Sequence, residues 1–331
     1  MEVSLSIAIG LFSIASVVIV VAAIFLTTAA DIIASRMGLG RLWVGSLLLA
    51  GATSLPELAT AIAAALAGSA DLAAGNMFGA NMLNMSNLAI LLALFGGRYV
   101  FQQVAPQQTL VATTAIVLTA LATLFALLKA DVTWLAVSIP GIVIIVTYVA
   151  LSGVLRRFSR GIEEEVDEEA PSHSLRWAWM VFAACASAIF VAGPLLAITA
   201  DRIADLTGIG ASFIGVLALA LVTTLPELTT TFTAFRIGAP DMAIANMYGT
   251  NSFNIAALGV ASMFYPDGSL FADVGTSSIS AGLFAILLMS LGVLQLLRRR
   301  PLTHFSFTTP TPPMFVGLYI LGLFVVFWLA S

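Results

Sequence analysis

Two carboxylates, each set beside a proline in an apolar stretch, are the residues of this 331-residue chain best placed to do chemistry. Glu57 ends the run Gly51-Ala-Thr-Ser-Leu-Pro-Glu and is the only charged residue between Arg41 and Asp71; Glu227 ends Leu221-Val-Thr-Thr-Leu-Pro-Glu. A carboxylate inside an apolar span is costly, so its default reading is a functional site. Pro56 and Pro226 remove a backbone donor and disfavour helix at the preceding leucine, which is expected to leave carbonyls near Thr53 and Thr223 without intrahelical partners. Those carbonyls, both carboxylates, the hydroxyls of Thr53, Ser54, Thr223 and Thr224, and nearby asparagine amides form an all-oxygen set of the kind that calcium prefers. Asn76, Ala80 and Asn84 follow at i, i+4, i+8 and fall on one helix face, as do Asn246, Thr250 and Asn254; Asn81 and Asn251 lie within the same blocks. A single membrane asparagine can equally be an interhelical hydrogen bond. Two carboxylates at matched positions beside two prolines exceed what packing requires. Sulfur and imidazole are absent from the set: the single cysteine, Cys185, lies in an apolar run, and His173 and His304 lie in hydrophilic connections. A zinc or copper centre is therefore not expected, and no disulfide can form within the chain.

The elements that must position these groups are membrane helices. With 60% hydrophobic and 9% charged residues and a mean hydropathy of +1.06, a water-soluble globular chain is excluded. Runs of about 20 apolar residues span a bilayer as helices. Ten occur, approximately at 5–28, 42–67, 72–95, 106–128, 132–154, 177–200, 210–235, 242–265, 274–297 and 312–330. They are too long and too uniformly apolar for a membrane barrel, whose strands alternate over about 10 residues. The first run is too long for a signal-peptide core and reads as a retained helix. With loops numbered alternately, eleven basic residues (Arg36, Arg41, Arg98, Arg156, Arg157, Arg160, Arg176, Arg236, Arg298, Arg299 and Arg300) fall on one side and only Lys129 and Arg202 on the other. The first side is therefore expected to be cytoplasmic and both termini outside. A charged connection at 156–176, containing the acidic run Glu163–Glu169, separates residues 1–155 from 177–331.

A shift of 170 positions overlays the first half on the second without a gap: Asp31 on Asp201, Glu57 on Glu227, Asp71 on Asp241, Asn76 on Asn246, Gly79 on Gly249, Asn81 on Asn251 and Asn84 on Asn254. Five helices per copy is an odd number, so the copies enter the membrane in opposite directions. The fold class expected is an all-α polytopic membrane protein, ten transmembrane helices in two inverted five-helix repeats, an arrangement suited to alternating access.

The paired blocks, Thr-Ser-Leu-Pro-Glu57 with Asn76-x-x-Gly-Ala-Asn-x-x-Asn84 and Thr-Thr-Leu-Pro-Glu227 with Asn246-x-x-Gly-Thr-Asn-x-x-Asn254, resemble the two alpha repeats of the sodium/calcium exchanger (cation/calcium antiporter) family. The resemblance covers roughly residues 25–95 and 195–265 and implies the family's ten-helix fold with outside termini. Carried over, it implies that Glu57 and Glu227 coordinate calcium, that Thr53 and Thr223 supply carbonyl ligands, and that Ser54 and Thr224 supply sodium-site hydroxyls. Two departures stand out. The family usually has Gly-Ser-Asn where this chain has Gly79-Ala-Asn81 and Gly249-Thr-Asn251, and sodium/calcium members often carry aspartate where this chain has Asn254. With two carboxylates, a charge of −2 matches one calcium or two sodium ions. The expectation is coupling to fewer sodium ions than in electrogenic members, or to protons.

The function expected is secondary active antiport of Ca2+ against Na+, without covalent chemistry, cofactor or nucleic-acid partner, by a monomer in a prokaryotic inner membrane. A proton-coupled or other-cation exchanger and a cation channel are the alternatives. Asp71 and Asp241 read as caps at the start of their own helices, Asp31 and Asp201 as helix-end hydrogen-bonding groups, and the acidic run as a solvated loop.

Overall fold

The computed structural model describes residues 4–38, 41–96, 100, 104–134, 137–159, 173–207, 224–266, 268–298 and 312–330. Thr223, Arg98, Arg160, Arg299, Arg300, His304 and the acidic run Glu163–Glu169 lie outside them, as does the side chain of Asp201. The described chain is almost entirely helical: α1 (Leu5–Met37), α2 (Arg41–Thr53), α3 (Leu55–Leu66), α4 (Ala70–Leu94), α5 (Gln108–Leu127), α6 (Ile139–Ser159), α7 (Leu175–Thr207), α8 (Leu225–Arg236), α9 (Pro240–Ala261), α10 (Thr276–Arg298) and α11 (Pro312–Ala330). A two-rung hairpin pairs Thr133 with Ser138 and Trp134 with Val137 just before α6, so the apolar run at 132–154 becomes helical only from Ile139.

Seven of these helices are long and apolar enough to cross a membrane, or eight when the bent pair α2–α3 is one span. α9 is not among them. Its sequence carries Asn246, Thr250, Asn251, Ser252 and Asn254, and it is enclosed by α2, α4, α5, α6 and α8, so nearly every residue along it is buried. Polar side chains in a membrane protein are sheltered in this way among other helices. α1 and α7, each of 33 residues, pack along one another more extensively than any other pair. At about 50 Å they exceed the roughly 30 Å hydrocarbon thickness and outrun the expected spans 5–28 and 177–200. Their outer faces present Val17, Phe25, Val191 and Ile198, and α11 presents Phe324 and Trp328. On a soluble protein such apolar faces would drive association; on a membrane protein they meet lipid.

α2 and α3 meet at 50° across Ser54, and the cause is local. Pro56 sits in the first turn of α3, where its missing N–H has no intrahelical role. Ser54 takes φ −91°, ψ 9°, and Thr224, before Pro226 and α8, takes φ −87°, ψ 9°. α3 and α8 then run for 12 residues each and end in the same cap. Gly68 (φ 71°) donates to the Ala65 carbonyl while Ser69 donates to Ala64; Gly238 (φ 75°) donates to Phe235 while Ala239 donates to Ala234. Left-handed φ suits glycine alone at low cost, which explains both residues.

The 170-position relation reaches further than the sequence motifs. Asp71 Oδ1 accepts from the Gly275 N–H (2.7 Å) and the Ser278 hydroxyl (2.9 Å), and Asp241 Oδ1 accepts from the Ala105 N–H (2.9 Å) and Gln108 Nε2 (3.0 Å). Ala105 and Gln108 are the counterparts of Gly275 and Ser278. The two aspartates therefore hold the start of a helix in the other half of the chain, α10 and α5, and not their own; α4 and α9 lack a side-chain cap. Asp31 pairs with Arg41 at 2.7 Å, tying the end of α1 to the start of α2.

Candidate ion-binding site

Glu57 follows the break at Ser54, and Glu227 holds the matching place in the first turn of α8; they are 4% and 1% exposed. Ser54 Oγ donates to Glu227 Oε1 at 3.3 Å, so the break in α2–α3 faces the carboxylate of α8. Leu58 N–H donates to the Ser54 carbonyl (3.1 Å), and Leu228 N–H donates to the Thr224 carbonyl (3.0 Å). The described backbone bonds include none from Glu57 N–H to the Thr53 carbonyl. Thr53, Ser54 and Thr224 are all buried.

Opposite the breaks, α4 and α9 are joined by a crossed set of four asparagines. Asn81 Nδ2 donates to the Asn251 carbonyl (3.1 Å) and Asn251 Nδ2 to the Asn81 carbonyl (3.5 Å); Asn84 Nδ2 donates to Asn251 Oδ1 (3.0 Å) and Asn254 Nδ2 to Asn81 Oδ1 (3.0 Å). The 170-position shift exchanges each bond with its mate, so the quartet has the symmetry of the repeat. A backbone carbonyl only accepts, which fixes the amide ends of Asn81 and Asn251 and therefore places their oxygens toward Asn254 and Asn84. Those two must answer with their own NH2 groups. Their Oδ1 atoms are left buried and without a partner.

Six oxygens in this region are buried and unpartnered: Glu57 Oε2, Glu227 Oε2, Asn84 Oδ1, Asn254 Oδ1, Thr250 Oγ1 and Asn246 Oδ1. All belong to the residues whose types and spacing drew attention in the sequence. Buried polar atoms are nearly always satisfied, so these six stand out. No group of three or more His, Cys, Asp or Glu side chains occurs among the described residues. The donor set is two carboxylates with neutral oxygens, which suits hard cations.

Of the predicted residues, Asn81 and Asn251 commit both polar ends to the helix–helix bonds, and Asn76 is half-buried with no hydrogen bond among the described ones. Gly249 lies against the Ser46 backbone, where a Cβ would come within 2.4 Å of its carbonyl oxygen, while a Cβ on Gly79 would meet nothing within 4 Å. Sequence reasoning passed over Thr230 and Thr231, which accept from Asn246 Nδ2 at 3.0 and 2.9 Å. The signal was present: Thr229-Thr-Thr231 stands where the first half has Ala59-Thr-Ala61.

A bundle of long apolar helices with two buried glutamates at matched positions is that of a membrane protein. The chain belongs to the family described as "Sodium/calcium exchanger protein", whose profile matches residues 7–155 and 177–331. It is 28% identical over 277 residues to the putative antiporter CaxA of Alkalimonas amylolytica, covering 81% of this chain and 85% of the relative. It is 26% identical over 307 residues to the inner membrane protein YrbG of Escherichia coli, covering 92% and 90%. In fold it is similar to the sodium-calcium exchanger NCX_Mj, with a TM-score of 0.70 at 20% identity over 97% of this chain and 99% of that one. Family and fold are those of an ion exchanger and not of an enzyme.

Proposed function

We propose that this protein exchanges Ca2+ for Na+ across the membrane at one buried site, formed around Glu57 and Glu227 and reached alternately from either side. The observation that carries the reading is the cluster of unpartnered buried oxygens: two carboxylate oxygens, the Asn84 and Asn254 carbonyl oxygens and the Thr250 hydroxyl. Calcium takes six to eight oxygens, and the carbonyl at Thr53, its counterpart at Thr223, and the hydroxyls of Ser54 and Thr224 would complete its shell. Two carboxylates neutralise one Ca2+ or two Na+, so either load cancels the charge and both together do not. Competition for the same charges makes the process exchange instead of leak. Whichever ion is bound, the Asn81–Asn251 bonds keep the Asn84 and Asn254 oxygens turned toward it.

The reading includes ten spans in two inverted five-helix repeats, residues 1–155 and 177–331 joined by 156–176, with both termini outside and the joining loop in the cytoplasm of a prokaryotic cell. The mates found at a shift of 170 positions, from the Asp71 and Asp241 bonds to the asparagine quartet, support the repeat. α1 and α7, packed on one another, would slide past the breaks; Gly193 of α7 lies directly on Pro56, where a Cβ would come within 2.5 Å of the ring. Ala80 and Asn254, neither of which adds charge, favour coupling to two sodium ions, or to protons as the second reading.

The test is uptake of radiolabelled calcium into proteoliposomes loaded with sodium, with potassium-loaded and pH-jump controls. Uptake that requires internal sodium and is lost in Glu57→Gln is the expected result. Uptake driven by the proton gradient alone would transfer the coupling to protons, and a large current accompanying sodium-driven uptake would overturn the two-sodium count.

A further inference from the structure

We propose that the ion pair between Asp31 and Arg41 is a latch that holds α1 in the position seen here and must open for α1 to move; the inference rests on the exchanger reading above, in which α1 slides past the breaks. Arg41 Nε donates to Asp31 Oδ1 at 2.7 Å, with both side chains partly exposed. The pair joins two elements that are held in different ways. α2 is fastened to the core: a Cβ on Gly45 would come within 2.6 Å of the Met242 carbonyl oxygen, and one on Gly249 within 2.4 Å of the Ser46 carbonyl oxygen, so the backbones of α2 and α9 touch. α1 rests on its neighbours through small side chains. Seven of its twelve buried residues are alanine, and short side chains make shallow ridges that resist sliding less than interlocked long ones. The Thr27 hydroxyl bonds within α1, to the Ala23 carbonyl at 2.8 Å, and lies 3.5 Å from the Thr230 carbonyl of α8.

Covalent geometry leaves α1 room to move. Only Gly38, Leu39 and Gly40 lie between Met37, which ends α1, and Arg41, which opens α2. Four Cα steps reach about 13–14 Å when extended, long enough to absorb a shift of one helical turn, about 5 Å. The ion pair opposes such a shift, because moving Asp31 that far takes its carboxylate out of hydrogen-bonding distance of Arg41 as the arginine now lies. Release does not strand the guanidinium. Its charge also acts on Asp241 at the start of α9, on the fastened side of the latch. A partly exposed ion pair contributes little to stability, which suits a contact that opens in every transport cycle. The second half carries the acid without the base: Asp201 is the counterpart of Asp31, and Ala211 is the counterpart of Arg41. The latch is therefore a feature of the first half, added to a symmetric plan.

Ile33, fully buried on α1, supplies the reporter. In the purified full-length protein, Ile33→Cys in a Cys185→Ala background reacts with a water-soluble maleimide in proportion to the time α1 spends displaced. The labelling rate is measured in sodium, in calcium and without either, for the reporter alone and with Asp31→Asn, Arg41→Gln or the reversed pair Asp31→Arg with Arg41→Asp. Either single substitution should raise the rate about two- to fivefold, the range open to a partly exposed ion pair, and the reversed pair should bring it back to within about twofold of the reporter alone. That recovery separates an open latch from a damaged fold, which a second substitution would only worsen. Potassium chloride at about 1 M, which screens exposed charges beyond about 3 Å, should shrink the difference between the reporter and the single variants. Labelling that responds to sodium or calcium but is the same in every variant overturns the latch alone. Labelling that responds to neither ion in any variant overturns it together with the sliding of α1 in the exchanger reading.

Discussion

The two halves of this molecule carry the same motif and treat it differently. In the second half, Asn246 is fully buried and held by two threonines, Thr230 is sealed against Thr27 of α1, and Gly249 lies on the Ser46 backbone. In the first half, Asn76 is half-buried, Thr60 is exposed, and Gly79 is open. The asparagine quartet between them is symmetric. Identical positions thus share the asparagine quartet and diverge away from it.

The largest expected effect tests the part the halves share. Glu57→Gln and Glu227→Gln should each reduce calcium exchange by about 100-fold or more, since either leaves a divalent ion with half its compensating charge in a low-dielectric site. Transport by either variant within a few-fold of wild type would show that the carboxylates are not a shared site. The next test addresses where the halves differ. Thr250→Ala should weaken sodium dependence about tenfold, whereas Ala80→Ser restores a hydroxyl to the first half and should strengthen sodium binding or steepen its concentration dependence, which sodium-driven calcium efflux would measure.

Packing supplies a third contrast. Gly249→Ala drives a methyl into the Ser46 backbone and should cost about 1–3 kcal/mol, while Gly79→Ala has room and gains helix propensity of about 0.5–1 kcal/mol. Thermal unfolding in detergent separates the two; equal losses would mean that the two glycines sit in equivalent surroundings. The smallest effect concerns the aspartates. Asp241→Ala leaves the Ala105 N–H without its acceptor and Gln108 with only the residue 241 backbone carbonyl, and should cost about 1–2 kcal/mol. Asp71, which is exposed, should cost less than about 1 kcal/mol when replaced, because water can take its place on Gly275.

Much of this was legible from residue order. Apolar runs gave the membrane helices, because a chain in lipid must satisfy its backbone within each span. Leu-Pro-Glu57 located the break between α2 and α3, because proline acts on its own turn, and Ser54 and Thr224 take matching bridge conformations. The 170-position register exposed the repeat. Sequence placed Asn76, Asn84, Asn246 and Asn254 on faces without separating one role from another, and it set Asp71 and Asp241 in the first turns of their own helices without showing that they bond helix starts in the other half. Those distinctions rest on partners in the other half of the chain, such as Asn251 for Asn84 and Gly275 for Asp71.

Local chemistry is written in local sequence: proline breaks its own helix, glycine caps its own turn, and a buried glutamate demands a counter-charge wherever it is. The sequence alone therefore determined that this protein carries two Leu-Pro-Glu motifs at matched positions in a chain of membrane helices, and that proline breaks the first of them at Ser54. Only the tertiary structure decided which oxygens are left over. An amide has two ends, and its free end is known only when the group that takes the other has been brought to it from about 170 residues away.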